Sequence, residues 1–224
     1  MKKKSIDIIN TINPFLGFLA MFVTQDIVIK FFFSEIKIKN KFFSIPKNSS
    51  VILAPTHRSR WDGLVLTKAM GRRVTNQDCR FMVTKSEMKG IQGWFLKRLG
   101  CFSIDQLYPS LSVLRYAVNL IAKKNLLVVF PEGKINKYRK KITLKEGLYR
   151  LALLAAKKTN SILIIPIGIA YSQVSPKLRS KVSLCFGEPL LVNKNPNLSI
   201  KEFNQILNKR MYKAEKIALE NVGR

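Results

Sequence analysis

The chain has 224 residues, 47% hydrophobic and 24% charged, with 11 Gly and 9 Pro, which excludes collagen-like, low-complexity and wholly disordered chains. Against 13 Asp and Glu stand 40 Lys and Arg, a formal charge of +27, so the partners to weigh are anionic: acidic lipid, an acidic protein or nucleic acid, with part of the Lys content a solvated face. Cys79, Cys101 and Cys185 are an odd, widely spaced set and MKKKSIDIIN leads to no small-residue cleavage site, so a reducing cytosol is expected and, with one His, no metal centre.

The first element is apolar. From Ile12 to Phe33 the chain reads INPFLGFLAMFVTQDIVIKFFF, broken by Asp26 and Lys30. A spanning helix wants about 20 nearly uncharged residues, and the clean run Pro14–Val23 is half of that. Residues 1–45 are therefore expected to form an amphipathic helical segment in the membrane interface. Its apolar face would lie among acyl chains, and Lys2–Lys4, Lys37, Lys39 and Lys41 would meet anionic headgroups. A core helix and a true transmembrane helix are the alternatives.

Residues 46–224 are expected to fold as one α/β domain with a mixed, largely parallel central sheet covered by helices. Strands are predicted at Val51–Ala54, Arg80–Val83, Leu126–Phe130, Ile162–Ile167 and Val182–Phe186. A helix over Ser86–Arg98 carries Met88, Ile91, Phe95 and Leu99 at helical spacing, and one over Pro109–Lys124 carries Leu111, Leu114, Val118 and Ile121. Leu148–Lys158 is a third. The last helix opens with the capping box Ser199-Ile200-Lys201-Glu202 and repeats Ile200, Phe203, Leu207, Met211, Ala214 and Ala218 as a core stripe.

The single histidine follows the first of these strands, in Thr56-His57-Arg58-Ser59-Arg60-Trp61-Asp62-Gly63. Reactive groups in open α/β sheets collect at the carboxyl ends of strands. A five-residue step turns about 140° on a helix, so His57 and Asp62 share no helical face and can meet only if the loop folds back. With His57 before the helix and Asp62 in its first turn, the carboxylate would hold one ring nitrogen and leave the other as a base suited to acyl transfer to an alcohol. The bland alternative is a structural histidine. The strand Leu126–Phe130 ends at Pro131-Glu132-Gly133-Lys134, which brings a carboxylate and a glycine to a second strand end. Glu132 would bind a substrate hydroxyl or hold a basic side chain in place; a surface turn is its bland reading.

His57-x4-Asp62, followed by Gly100-Cys101-Phe102-Ser103-Ile104-Asp105, Phe130-Pro131-Glu132-Gly133 and Ile165-Pro166-Ile167 in that order, resembles the glycerolipid acyltransferase family. That family includes glycerol-3-phosphate and lysophosphatidate acyltransferases. Lys145-x-Gly147 and Phe186-Gly187-Glu188-Pro189 are similar to further recurrent features, so the resemblance covers roughly residues 50–190. It implies His57 as general base, Asp62 as its orienting carboxylate, and attack of the acceptor hydroxyl on an acyl thioester of coenzyme A or acyl carrier protein. No resident cofactor and no covalent acyl-enzyme are implied, so Cys101 reads as a packing residue.

The chain departs from the family at two positions, Gln106 and Ile135, where members often carry arginines linked to the acceptor's phosphate. Arg58, Arg60, Lys134, Lys137, Arg139 and Lys145 are the nearby cations that could serve instead. The expected substrate-binding set is Arg58, Arg60, Glu132, Gly133, Lys134 and Lys145. The leading expectation is a peripheral or monotopic enzyme on the cytoplasmic face of a membrane, converting lysophosphatidate to phosphatidate. Glycerol 3-phosphate or another lysolipid is the alternative acceptor. A lipid-binding protein without catalysis and a basic nucleic-acid-binding protein are the rivals from other classes; the second leaves Ile12–Phe33 without a purpose.

Overall fold

Val51–Pro55 forms strand β2, buried along its whole length, as an unbroken apolar run must be when both faces of a sheet are covered. In the computed structural model, which describes residues 14–40, 49–138, 142–195 and 197–224, the other strands are β1 (Phe33–Lys39), β3 (Cys79–Thr84), β4 (Phe102–Ile104), β5 (Leu126–Val128), β6 (Ser161–Tyr171), β7 (Ser180–Phe186) and β8 (Leu190–Asn193). They form one sheet in the order β1-β7-β6-β2-β5-β3-β4, with β8 also paired to β6. The pairs of β6 with β7 and with β8 are antiparallel, and the other five are parallel. Pro166 has no N–H to donate, and it lies between the last β8 pairing, at Ile164, and the first β7 pairing, at Ile167.

Alternate residues of the central strands supply two cores. Ile52, Leu127 and Ile164 face helices α6 (Leu111–Ala122), α7 (Gly147–Thr159) and α8 (Ile200–Asn221), represented by Ile121, Leu151 and Phe203. Leu53, Val128 and Ile165 face α3 (Asp62–Met70) through Val65, Leu66 and Ala69. The predicted capping box is present at the start of α8, where Ser199 accepts the Glu202 N–H and Glu202 accepts the Ser199 N–H.

Two expectations are corrected. The N-terminal segment is helical over α1 (Pro14–Phe22), a π-helical turn (Val23–Val28) and α2 (Ile29–Phe32), but at Phe33 it becomes β1, an integral strand parallel to β7. The alternation Glu35-Ile36-Lys37-Ile38-Lys39 is the period of a strand, and Ile36 and Ile38 pack into the core. Lys37 therefore lies on the domain surface, donating to the Asn221 carbonyl at 3.1 Å. Lys2–Lys4, Lys41 and Arg139 lie outside the described residues.

The helix expected over Ser86–Arg98 is split into a 3-10 turn (Lys85–Met88) and α5 (Gly90–Arg98), which opens with Gly90 at φ +57°. Of the residues at helical spacing, Ile91 is 88% exposed and Phe95 38%. Gly93 takes the inward position instead, where an added Cβ would stand 2.1 Å from the Met88 carbonyl. The contact face of a helix that rides directly on backbone is set by its smallest residue and not by its largest.

Candidate active site

Because β2 and β5 are parallel neighbours, the loops leaving their carboxyl ends meet at one edge of the sheet. Thr56 fixes the exit from β2: its N–H donates to the Ile167 carbonyl at 2.8 Å, and its Oγ1 accepts the Ile169 N–H at 2.9 Å. The chain then folds back, and α3 begins at Asp62. His57 Nδ1 lies 2.9 Å from Asp62 Oδ2. The same oxygen accepts the backbone N–H groups of Arg58 at 2.6 Å and Ser59 at 2.9 Å, and Oδ1 accepts the Tyr171 hydroxyl at 2.6 Å.

Asp62 is wholly buried, and its four donors offset the cost of withdrawing a carboxylate from water. Burial, followed by the Asp62 charge, pushes the Tyr171 hydroxyl well above its ordinary range, so it remains a donor. A carboxylate only accepts, so in the neutral imidazole Nδ1 carries the hydrogen and Nε2 is the acceptor. The ring stacks on Phe130 at 4.1 Å between centroids. Trp61 stacks on Phe32 at 4.1 Å, so the N-terminal segment braces the outer side of the same loop. Sequence spacing thus located a pair that can act as a held general base.

Arg58 and Glu132, both in the expected substrate-binding set, hold each other. Both are buried. Arg58 Nη1 donates to the two oxygens of Glu132 at 2.8 and 2.9 Å, while Nε and Nη2 donate to Glu215 at 2.5 and 2.9 Å. Glu132 Oε1 also accepts the His57 backbone N–H at 2.9 Å. Burial opposes the Arg58 charge, but the hydrogen bonds and charges of Glu215 and Glu132 outweigh it and raise its pKa. Of the two roles open to Glu132, holding a basic side chain is the one the structure displays, and it ties the two strand-end loops together.

His57 opens onto a cavity of about 1080 Å³. Phe81, Met82, Leu114, Leu148 and Leu151 give it apolar walls, and Arg60, Lys134 and Lys145 line it as well. Arg60 lies 3.7 Å from Glu87 and is largely exposed; among the described residues neither Lys134 nor Lys145 pairs with a carboxylate. Gly133, at φ +68°, makes a left-handed turn, and an added Cβ there would meet Gln106 and Lys145 at 3.3 Å. Gln106 and Ile135 both line the cavity, and the Gln106 amide donates to the Gly133 carbonyl at 2.8 Å. Cys101 lines the cavity too, but burial pushes its thiol up to about 12, so it offers no thiolate at neutral pH.

Two residues of this constellation, Tyr171 and Glu215, were not foreseen. Glu215 is an acid beside Ala214 and Ala218 on the stripe of α8 that faces the core, and a buried carboxylate demands a partner. That is the signal that was available. Tyr171 ends a strand that runs four residues past Ile167, where its apolar run was read to stop.

The family model described as Acyltransferase matches residues 36–170, from within β1 to the penultimate residue of β6. A 1-acyl-sn-glycerol-3-phosphate acyltransferase of Streptococcus pneumoniae is 27% identical over 149 residues, 64% of this chain and 51% of the relative, so the chain spans about half the length of that protein. Among solved structures, the 1-acyl-sn-glycerophosphate (LPA) acyltransferase PlsC of Thermotoga maritima shares the fold, with a TM-score of 0.64 at 18% identity over 94% of this chain and 87% of that one. The matched span holds both strand-end loops and more than half of the sequence: this chain belongs to the acyltransferase family.

Proposed function

We propose that the protein transfers an acyl chain from an acyl thioester to the free hydroxyl of 1-acyl-sn-glycerol 3-phosphate, giving phosphatidate, at the surface of a membrane. The observation that carries this reading is the His57–Asp62 pair opening onto a cavity with apolar walls and cations along it. A lysolipid has the same two parts, an acyl chain and an anionic head. The relative from S. pneumoniae, named for this reaction, supports the same acceptor.

In this mechanism His57 Nε2 takes the proton of the acceptor hydroxyl as its oxygen attacks the thioester carbonyl carbon. Asp62 holds the ring and stabilises the imidazolium that forms. The tetrahedral intermediate then collapses with cleavage of the carbon–sulfur bond, and the imidazolium returns the proton to the departing thiolate. The ester and a free thiol are the products, and His57 is neutral again. Lys134, Lys145 and Arg60 would hold the phosphate. Coenzyme A, with its phosphates, and acidic acyl carrier protein both suit a chain of charge +27 as donors.

This reading puts the protein on the cytoplasmic face of the membrane, peripheral or monotopic, and the N-terminal helix supports the membrane contact. Phe15–Phe32 is apolar and long enough to cross a bilayer by length and composition. Its second half is tied to the domain, with Ile29 and Gln25 buried and Asp26 2.6 Å from Arg73. Along its outer side Phe15, Phe18, Phe22, Ile27 and Phe31 are exposed and left to enter lipid. Gln106 and Ile135, which put no cation where the family often has arginine, favour a second reading in which the acceptor carries another headgroup.

The test offers acyl-CoA and acyl-acyl carrier protein to lysophosphatidate, glycerol 3-phosphate and other lysolipids in vesicles. Phosphatidate from wild type, with at least about 10³-fold less from His57→Ala and no loss of vesicle binding, is the expected result. Equal rates in the two proteins would remove His57 from the chemistry. Product from a different lysolipid alone would replace the acceptor.

A further inference from the structure

On α5, Ile91, Trp94, Phe95 and Arg98 stand at i, i+3, i+4 and i+7, which is one face of a helix. That face is bare: Ile91 is 88% exposed, Trp94 50% and Phe95 38%. Its opposite side carries the buried Gly93 and, with Leu96, turns towards the cavity. An apolar stripe turned outward by the way its helix is seated is a contact surface without its partner.

The chemistry around the stripe selects the partner. Lys89 and Lys97 are exposed beside it, and the Arg98 guanidinium lies 3.7 Å over the Trp94 ring. Trp and cations bordering an apolar face suit the boundary between acyl chains and anionic headgroups. The position of α5 matters equally. Gln92, Leu96 and Leu99, on its inner side or just beyond it, line the cavity that His57 opens onto, and Phe18 and Met21 of α1 line the same cavity. Phe15 and Phe18 of α1 are themselves exposed. The cavity therefore has two helices in its wall that carry exposed apolar side chains.

We infer that α5 is a second membrane-contact element, which inserts Ile91, Trp94 and Phe95 into an anionic bilayer while α1 enters beside the same cavity. A lipid acceptor would pass from the bilayer into the cavity between them without crossing water. This inference rests on the lysolipid reading above, and its readouts are separable from it.

Cys79, Cys101 and Cys185 are buried, so Ile91→Cys places one accessible thiol for a polarity-sensitive fluorophore. On vesicles rich in phosphatidylglycerol its emission should shift to the blue and be quenched by brominated acyl chains. The triple variant Ile91→Ser, Trp94→Ser, Phe95→Ser should lower vesicle partition about tenfold or more. It should lower turnover of vesicle-embedded lysophosphatidate by a similar factor and leave turnover of a short-chain, water-soluble lysophosphatidate unchanged. An unshifted label on protein that sediments with the vesicles would overturn the inference. So would a shift that follows protein concentration without vesicles, which would assign the face to a second copy of the chain. Label burial without any phosphatidate would support the surface and refute the acyl-transfer reading; wild-type turnover by the triple variant on vesicles would do the reverse.

Discussion

Asp62 shows how much organisation one buried carboxylate requires. Two backbone N–H groups, a tyrosine hydroxyl and the His57 ring all converge on it. Asp62→Asn keeps the shape but replaces one acceptor oxygen by a donor, which must then face a donor or the ring. Turnover should fall about 10²- to 10⁴-fold with little change in KM, and a kcat equal to wild type would remove the pair from the mechanism. Tyr171→Phe leaves Asp62 Oδ1 short of a donor. It should cost about 1–3 kcal/mol in urea unfolding and slow turnover, also without raising KM. The meeting of His57 with Asp62 was legible because both lie in a short motif at the end of a recognisable strand. The use made of Arg58 was not, since its partner Glu215 is 157 residues away on another element.

At the scale of elements, the decisive contact is between α8 and β6. A Cβ at Gly168 would stand 2.1 Å from the Glu215 backbone nitrogen, so the helix lies directly on the strand and delivers the Glu215 carboxylate to Arg58. Gly168→Ala must push α8 outward. The expected result is a loss of about 1–3 kcal/mol or more in stability, with a fall in kcat larger than that of a control on the exposed face of the same helix such as Lys209→Ala. Wild-type stability and kcat in Gly168→Ala would show that the α8 contact is unimportant. Elements whose periodicity was clear, such as α6, α7 and α8, were read close to their true bounds. The strand β1 was missed because its alternation follows an apolar run that reads as helix. The outward face of α5 was not legible, because periodicity says which residues share a face, not what that face meets.

For the molecule as a whole, the described core holds protons that an unfolded chain would release. Burial pushes the thiols of Cys79 and Cys101 to about 12 from an ordinary 9.0 and raises the Tyr171 hydroxyl well above 10.0. The folded state keeps these protons as pH rises past the unfolded values, so the unfolded state gains by ionising. Stability should be level below about pH 9 and decline steadily from there towards about pH 12. Urea unfolding at about pH 8 and about pH 11 measures this, and Cys79→Ala with Cys101→Ala should flatten the decline. The sequence alone determined the alternation of strands and helices, a sheet buried on both faces, an apolar basic start and the His57–Asp62 pair. Those properties are written in local periodicity and in motifs a few residues long. Only the tertiary structure decided that Arg58 and Glu132 are buried and brace the loops, that β1 joins the sheet, and that α5 turns Ile91, Trp94 and Phe95 outward. Each of these depends on which distant element arrives alongside, and that is fixed by packing of the whole chain and by no single segment of it.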